Sequence, residues 1–291
     1  MNEILKIENL TKSFGRRKVL QGLSLSLEKG RVCGLLGKNG EGKTTFLRIL
    51  MGIIPAGGGR ITYAGKPVAF GDAAYKRSIG YIAEDNVFFS RMRIAELLRF
   101  NAAFYPNWSA SRAEDYLNRF GLSRRDKVRT LSRGMALKLG LAVALSAAPD
   151  LLVLDDPTSG LDVPTRHDFL KNVIREITET GTTILFATHM VHEAEKIIDR
   201  LAILQAGRLI IETDYEAFKP LMKKVVVQAE PEALDRLAGD GILSKDVQGA
   251  TASLVVYPWS EETQGRLQSL SRAPLELSAA TLEEIFVGLV A

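Results

Sequence analysis

The chain has 291 residues, of which 46% are hydrophobic, and a formal net charge of +4. This is the composition of an ordinary globular protein with one large domain, alone or with a small appendage. The longest apolar run, Leu139 to Ala148, is shorter than the roughly 18 residues needed to cross a bilayer. The N-terminus also lacks the pattern of a secretory signal. We therefore expect no membrane-spanning segment and a cytoplasmic location.

The charge is unevenly distributed. Residues 220–291 contain six Lys and Arg against ten Asp and Glu, so the first 219 residues carry +8. A basic body suits phosphate ligands or an anionic membrane surface, although scattered solvated charge would give the same balance. No cluster of Lys and Arg interleaved with aromatic residues is present, so we expect no nucleic-acid partner.

Strands and helices alternate along most of the chain. LKIENL, LSLSLE and RVCGLL read as strands, and the last leads through a glycine-rich turn into the helical TTFLRILMG. A mostly helical insertion follows, including a helix with Ser111 and Glu114 in capping-box register. LLVLDD is a buried strand, Val163 to Thr180 an amphipathic helix and TTILFAT another strand. This alternation predicts a parallel sheet with ligands at the carboxyl ends of its strands.

After about residue 215 the composition becomes acidic, with VVVQA and ASLVVY as strands and a final helix capped by Thr281. We predict a main domain over residues 1–219, with its helical part at about 84–149. A small C-terminal α/β domain is predicted over residues 220–291.

The stretch GKNGEGKTT fits the P-loop pattern G-x-x-x-x-G-K-[ST] and lies between a predicted strand and a predicted helix. Its glycines allow backbone N–H groups to surround phosphate oxygens at a helix N-terminus, and Lys43 reaches the terminal phosphates. The Thr44 hydroxyl is the expected Mg²⁺ ligand. A glycine-rich turn without a ligand is the alternative. The predicted nucleotide-binding residues of this loop are Gly37, Lys38, Asn39, Gly40, Glu41, Gly42, Lys43, Thr44 and Thr45.

Two adjacent acids, Asp155 and Asp156, end the buried strand LLVLDD. A P-loop enzyme needs one acid at a strand end to hold the metal and another group nearby to orient the attacking water. We assign the first task to Asp155 and the second to Asp156. A solvated strand end is the alternative, but the aliphatic lead and the following Pro157 argue against it.

Three further motifs complete a recognisable order: LSRGM at Leu131–Met135, SGLD at Ser159–Asp162, and His189 after TILFAT. Together with the P-loop and the acidic strand, they make residues 3–215 resemble the nucleotide-binding subunit of an ATP-binding-cassette (ABC) transporter. The resemblance implies an α/β P-loop NTPase fold. Its parts are a RecA-like parallel sheet, an N-terminal antiparallel β subdomain and a helical subdomain.

The resemblance also implies partners and roles. Two subunits, either a homodimer or a pair with a closely related chain, would meet head to tail around two Mg-ATP. Ser132, Arg133, Gly134 and Asp162 would then face the nucleotide of the opposite subunit. Phe14 matches the aromatic residue that stacks on adenine, and His189 matches the histidine that contacts the γ-phosphate.

The chain departs from the family pattern at four positions. Asp156 stands where Glu is common, and a catalytic group misplaced by about 1 Å can cost on the order of 100-fold in rate, so we expect slow hydrolysis. Glu84 stands where many relatives have Gln, and its carboxylate can still bind Mg²⁺ or its water. Arg133 replaces the second Gly of the signature and Met135 its Gln. The guanidinium can add charge near the phosphate, contact the partner or obstruct close approach.

The resemblance implies an ATP-hydrolysing subunit that drives export through a separate integral membrane permease. We expect it to lie at the cytoplasmic face of the membrane and to grip the permease through residues 84–104. The apolar face there could equally pack on its own domain. Two alternatives remain: a cytosolic ATPase of the same fold without a transport role, and a slowly hydrolysing ATP-dependent switch.

Overall fold

The computed structural model describes residues 3–84, 88–174, 177–178, 180–239 and 241–290. They form two compact units, one of Met1–His189 with Ile197–Glu212 and one of Met190–Lys196 with Thr213–Ala291. The division falls slightly before the boundary expected near residue 220. The short segment that follows His189 belongs to the second unit.

The first part of the first unit contributes strands to two different sheets. Its first elements are β1 (Glu3–Phe14), β2 (Arg17–Glu28), β3 (Val32–Leu36), α1 (Lys43–Leu50), β4 (Gly58–Tyr63), β5 (Lys66–Pro67), α2 (Ala73–Arg77) and β6 (Ile79–Ile82). Strands β2, β1, β4 and β5 form an antiparallel sheet in that order. In β2 the alternation of LSLSL follows from this arrangement, because Leu23, Leu25 and Leu27 are buried on one face.

The remaining elements of the first unit are α3 (Ile94–Ala102), α4 (Ala110–Arg119), α5 (Arg133–Ser146), β7 (Leu151–Asp155), α6 (Val163–Asp168), β8 (Thr183–Thr188), β9 (Arg200–Gln205) and β10 (Arg208–Asp214). A second sheet has the order β10-β9-β3-β8-β7-β6. Strand β3 pairs in parallel with β8 and β9, and β7 with β6 and β8. Every residue of β3, β7 and β8 is buried, which explains why their sequences are apolar without alternation.

Strand β3 also contains the single cysteine. Cys33 is 1% exposed, and burial raises the pKa of its thiol to about 12. It therefore behaves as a small core residue, as the apolar sequence around it predicts.

The helices α3, α4 and α5 enclose a small core of their own, which includes Ile94, Leu97, Leu117 and Leu139. The apolar face of α3 thus packs within its own domain. Residues 85–87, which belong to the predicted helical part, lie outside the described residues.

Two helix predictions need correction. Helix α4 is capped by Ser109, whose hydroxyl accepts a hydrogen bond from the N–H of Arg112 at 3.2 Å, so Ser111 is not the cap. The chain after Val163 is not one regular α-helix, because α6 continues as a π-helical stretch over Phe169–Ile174. Residues 175, 176 and 179 of the predicted helix lie outside the described residues.

The second unit contains α7 (Val191–Ala194), α8 (Tyr215–Phe218), β11 (Lys223–Gln228), α9 (Pro231–Asp235), β12 (Ile242–Gln248), β13 (Thr251–Val256), α10 (Glu261–Leu270), β14 (Glu276–Ala279) and α11 (Leu282–Leu289). Its sheet has the order β12-β13-β11-β14. Thr281 caps α11 in a capping box with Glu284, as predicted. Glu195, just after α7, accepts hydrogen bonds from the Tyr215 hydroxyl at 2.7 Å and the N–H of Leu282 at 3.4 Å.

Among the described residues, the helices are too short or too polar for any of them to traverse a lipid bilayer.

Candidate functional site

The glycine-rich loop lies between β3 and α1, at the carboxyl end of a central strand. Gly42 has φ +108°, and a Cβ atom there would lie 3.1 Å from the carbonyl oxygen of Val19. A Cβ on Gly37 would lie 2.8 Å from the carbonyl oxygen of Leu204. Glycine is therefore required at both positions, and the loop can lie close to its neighbours while its N–H groups remain at the start of α1.

Lys43 is the buried cation of this loop, with 7% of its surface exposed. Its Nζ donates to the carbonyl oxygens of Gly37 at 2.6 Å and Lys38 at 3.1 Å. Burial lowers the pKa of the Lys43 ammonium, and the nearby carboxylates of Asp156 and Asp155 oppose that shift. The ammonium is thus held within the loop that would surround phosphate oxygens.

Asp155 ends β7 beside the start of α1. The Thr44 hydroxyl donates to Asp155 Oδ1 at 3.2 Å, and Asp155 is 2% exposed. Burial is the largest cause that raises the pKa of Asp155, which reaches about 6; the Thr44 hydrogen bond and Lys43 oppose the rise, while Glu84 and Asp156 add to it.

These oxygen donors fit Mg²⁺, which prefers one or two protein ligands completed by phosphate and water. A cation would also relieve the repulsion between Asp155 and its acidic neighbours. Among the described residues, no group of three or more His, Cys, Asp or Glu side chains is placed to hold a metal.

Asp156 follows directly but faces another way. Its backbone is left-handed, with φ 43°, and its N–H donates to the carbonyl oxygen of Ala187 at 2.8 Å. The Thr188 hydroxyl donates to Oδ1 at 3.0 Å, and His189 Nδ1 forms a hydrogen bond with Oδ2. Asp156 and His189 are therefore hydrogen-bonded to each other at the end of β8. Asp156 is also a non-glycine residue in a sparsely populated backbone conformation.

The glycine-rich loop and the two acids meet in a cavity of about 550 Å³, a volume within the range of small-molecule sites. His189 contacts Asp156 but is not among the lining residues of this cavity. Of the predicted residues, the cavity is lined by Phe14, Asn39, Gly40, Gly42, Lys43, Thr44, Thr45, Glu84, Asp155 and Asp156. The Ser159 hydroxyl donates to Glu84 Oε1 at 3.4 Å.

Arg17 also lines the cavity, and sequence reasoning missed it. It pairs with Phe14 across the hairpin that joins β1 to β2. An exposed cation beside a candidate adenine-stacking residue was the available signal.

Three predicted residues of the glycine-rich loop do not line the cavity: Gly37, Lys38 and Glu41. The Glu41 carboxylate accepts a hydrogen bond from the N–H of Ala206, which directs it to the turn between β9 and β10. Gly37 and Lys38 offer their carbonyl oxygens to Lys43. The backbone N–H of Glu41 donates to the carbonyl oxygen of Lys38 at 3.4 Å, within the same loop.

The signature residues form a separate surface at the start of α5. Ser132 caps this helix, and Asp162 caps α6 by accepting from the N–H of Thr165 at 2.8 Å, a hydrogen bond that lowers the pKa of Asp162. The guanidinium of Arg133 lies over Gly160, since a Cβ there would lie 2.4 Å from one of its nitrogens. Within the described chain, Ser132, Arg133, Gly134 and Asp162 do not line the cavity.

The chain is similar to known proteins in sequence and in fold. The family described as ABC transporter matches residues 20–159. The linearmycin resistance ATP-binding protein LnrL of Bacillus subtilis (strain 168) is 30% identical over 297 residues, which cover 99% of this chain and 89% of that protein. The lantibiotic transport ATP-binding protein SrtF of Streptococcus pyogenes is 33% identical over 220 residues, which cover 75% of this chain and 94% of that protein.

A solved structure of the ATP-binding subunit of an ABC transporter is 28% identical and has a TM-score of 0.67, with 74% of this chain and 91% of that chain covered. The chain belongs to the ABC transporter family and is an ATP-binding subunit of that family. The predicted fold class and family resemblance are confirmed by these matches.

Proposed function

We propose that this chain binds Mg-ATP, hydrolyses it slowly and thereby drives export through a separate membrane-spanning partner. The observation that carries the proposal is the single cavity in which the glycine-rich loop, Lys43, the paired acids and Phe14 meet. Phe14 is 53% exposed, and the Lys12 ammonium lies 5.2 Å from its ring centroid. The face of the ring away from Lys12 would stack on adenine.

Lys43 and the N–H groups of the loop would bind the β- and γ-phosphates, because they supply the positive charge at a helix N-terminus. Thr44 and Asp155 would hold Mg²⁺, with Glu84 as a further oxygen donor. The bound ion would neutralise charge on the phosphates. Asp155 must be ionised to do this, and Mg²⁺ would favour its charged form.

Asp156 would orient the attacking water, and His189 would contact the γ-phosphate. Both oxygens of Asp156 already accept hydrogen bonds, from Thr188 and from His189. The acid must share these oxygens with the water, and its side chain is one methylene shorter than Glu. Both features support slow hydrolysis, and they also favour the ATP-dependent switch as the second candidate function.

Dimerisation would complete the site. Four residues do not line the cavity of their own chain and would face the nucleotide of a second subunit: Ser132, Arg133, Gly134 and Asp162. That subunit would be another copy or a closely related chain. The exposed guanidinium of Arg133 would supply positive charge to the opposite γ-phosphate.

The membrane partner would contact the helical part. Three exposed phenylalanine rings lie in contact there: the ring centroids of Phe89 and Phe100 are 5.3 Å apart, and those of Phe100 and Phe104 are 5.1 Å apart. Exposed aromatic clusters of this kind are typical of protein interfaces. The relatives named for linearmycin resistance and lantibiotic transport support export as the direction. The chain would then work at the cytoplasmic face of the membrane.

Phosphate release by the purified chain tests the enzymatic part. We expect Mg-dependent turnover that is abolished in Lys43→Ala, the matched variant without the ammonium. Turnover equal to that of Lys43→Ala, together with ATP-induced dimerisation, would favour the switch. Recovery of an integral membrane protein with a tagged chain from detergent extract tests the transport part, and its absence would favour a cytosolic ATPase.

A further inference from the structure

A strongly basic surface lies on the helical part of the first unit, outside the nucleotide site. Segments 90–95 and 124–129 run side by side and are joined by four backbone hydrogen bonds, including Val128 N–H to Met92 O at 3.0 Å and Ile94 N–H to Asp126 O at 3.0 Å. Met92, Ile94 and Val128 pack into the helical core. The exposed residues between them form what we call the basic ridge: Arg91, Arg93, Arg125, Lys127 and Arg129.

The basic ridge places like charges next to each other. Arg93 and Lys127 are directly paired across the two segments, and like charges in such positions repel. Within the described residues, one side-chain hydrogen bond is made by the ridge cations, from Arg93 to the carbonyl oxygen of Arg125 at 2.7 Å. No ion pair joins any of the five cations to a carboxylate of the part of the chain that the structure describes.

The neighbouring carboxylates are committed elsewhere. Glu96 accepts from the N–H of Arg93 at 2.7 Å, and Asp126 accepts from the N–H of Ser123 at 3.3 Å. Glu114 pairs with Arg124, which lies beside the ridge, at 3.1 Å. The local acids thus stabilise backbone turns or a neighbouring cation, and the ridge keeps an excess of positive charge for a partner.

The exposed aromatic cluster of Phe89, Phe100 and Phe104 adjoins this charge, because Phe89 lies two residues before Arg91. Phe89 and Phe104 are 56% and 55% exposed. Because that cluster would contact the membrane partner, the ridge beside it would lie near the bilayer surface, where exposed cations meet anionic headgroup phosphates.

We propose that the basic ridge binds the anionic phospholipid headgroups of a membrane surface. The inference goes beyond the proposed function and rests on it in one respect, the position of the chain at the membrane, since a membrane partner would hold the ridge close to a bilayer. Weak contacts of several cations then become effective, because tethering raises their local concentration. Each Lys or Arg close to an anionic surface strengthens binding by about fivefold.

Sedimentation of the full chain with lipid vesicles tests the proposal. Vesicles of phosphatidylcholine alone are compared with vesicles that also contain phosphatidylglycerol, an anionic phospholipid. We expect binding to the anionic vesicles only, and release when the salt is raised from about 0.1 M to about 0.5 M, because salt screens exposed charges.

The test variant is Arg91→Gln/Lys127→Gln/Arg129→Gln, which removes three ridge cations that make no side-chain hydrogen bond or ion pair with the described residues. The matched control, Lys29→Gln/Lys66→Gln/Arg208→Gln, removes three exposed cations from other elements of the first unit. We expect the ridge variant to bind anionic vesicles at least about tenfold more weakly than the control. ATP turnover should be the same in both, since neither set belongs to the nucleotide site.

Equal vesicle binding by the ridge variant and the control would overturn the proposal, and so would equal binding of the wild type to neutral and anionic vesicles. Preferential binding of a short single-stranded RNA through the ridge would assign it to nucleic acid instead. If the triple variant does not fold, Arg91→Gln/Arg129→Gln with the salt series replaces it. Vesicle binding and ATP turnover are separate readouts, so failure of this inference leaves the proposed function untouched.

Discussion

Replacing Asp156 by Glu is expected to accelerate ATP hydrolysis, because the natural carboxylate is held at the end of β8. Thr188 and His189 occupy its two oxygens. A Glu side chain extends the carboxylate by one carbon–carbon bond of about 1.5 Å. Since misplacing a catalytic group by about 1 Å can cost on the order of 100-fold in rate, we expect Asp156→Glu to raise kcat by about 10- to 100-fold.

The same substitution should lower stability. Asp156 has φ 43°, and Asp adopts the left-handed region more readily than Glu, which lacks its short-range hydrogen bonding to the backbone. We expect a cost of about 1 kcal/mol in the free energy of unfolding, seen as a lower thermal midpoint in the absence of nucleotide. A faster but less stable variant would show that rate and stability are set by different features of this residue.

Steady-state phosphate release at saturating Mg-ATP measures the rate, with Lys43→Ala as the background. Asp156→Asn is the matched control, because it keeps the size of the side chain and removes its charge. We expect it to bind ATP and to lose at least about 100-fold in kcat. Wild-type turnover in Asp156→Asn would refute the assigned role, and a Glu variant no faster than the wild type would show that Asp156 is already well placed.

Three further outcomes follow from the described contacts. Asp155→Asn should stabilise the nucleotide-free chain by about 3 kcal/mol well above pH 6 and by little below pH 4. The folded-state pKa of Asp155 is raised from 3.8 to about 6, so folding disfavours the charged form. Thermal melts across pH measure this effect, and a destabilised variant at pH 7.5 would contradict it. Arg133→Ala should weaken ATP-dependent dimerisation by about tenfold, the value of one charge-assisted hydrogen bond, and should leave the nucleotide affinity of the monomer unchanged. Sedimentation velocity measures dimerisation and fluorescence titration measures monomer affinity; a weaker monomer affinity would place Arg133 in the site of its own chain. Glu195→Ala should destabilise α11 by about 1 to 2 kcal/mol, since the Glu195 carboxylate accepts hydrogen bonds from Tyr215 and from the start of that helix. Hydrogen exchange should then show faster amide exchange in α11 and the elements next to it, and unchanged exchange would contradict the prediction.

The nucleotide loop and the central sheet were predictable because their sequence signals are local. Gly37 and Gly42 are required where the loop approaches Leu204 and Val19, and the spacing of such glycines is visible in the chain. The apolar runs of β3, β7 and β8 likewise reflect burial on both faces. Each of these predictions depends on neighbouring residues, which the sequence displays directly.

Other features depend on contacts between distant segments. Glu41 lies inside the phosphate loop by sequence, but its carboxylate binds the N–H of Ala206. The cap of α4 was misplaced because Ser109 and Ser111 are both acceptable caps. The actual cap, Ser109, is held by a contact with a distant segment, since its N–H donates to the carbonyl oxygen of Ser146 at 2.9 Å. The cations of the basic ridge come from two segments about thirty residues apart, so the sequence displays the basic stretch of residues 124–129 but not its pairing with Arg91 and Arg93.

The two adjacent acids show how the backbone separates roles that the sequence places together. Asp155 belongs to a regular strand and meets Thr44, whereas Asp156 is in the left-handed region and meets Thr188 and His189. Adjacent residues of an extended strand would point to opposite faces of the sheet. The positive φ of Asp156 instead allows both acids to line one cavity, so a metal-binding acid and a water-orienting acid can serve the same phosphate from two directions.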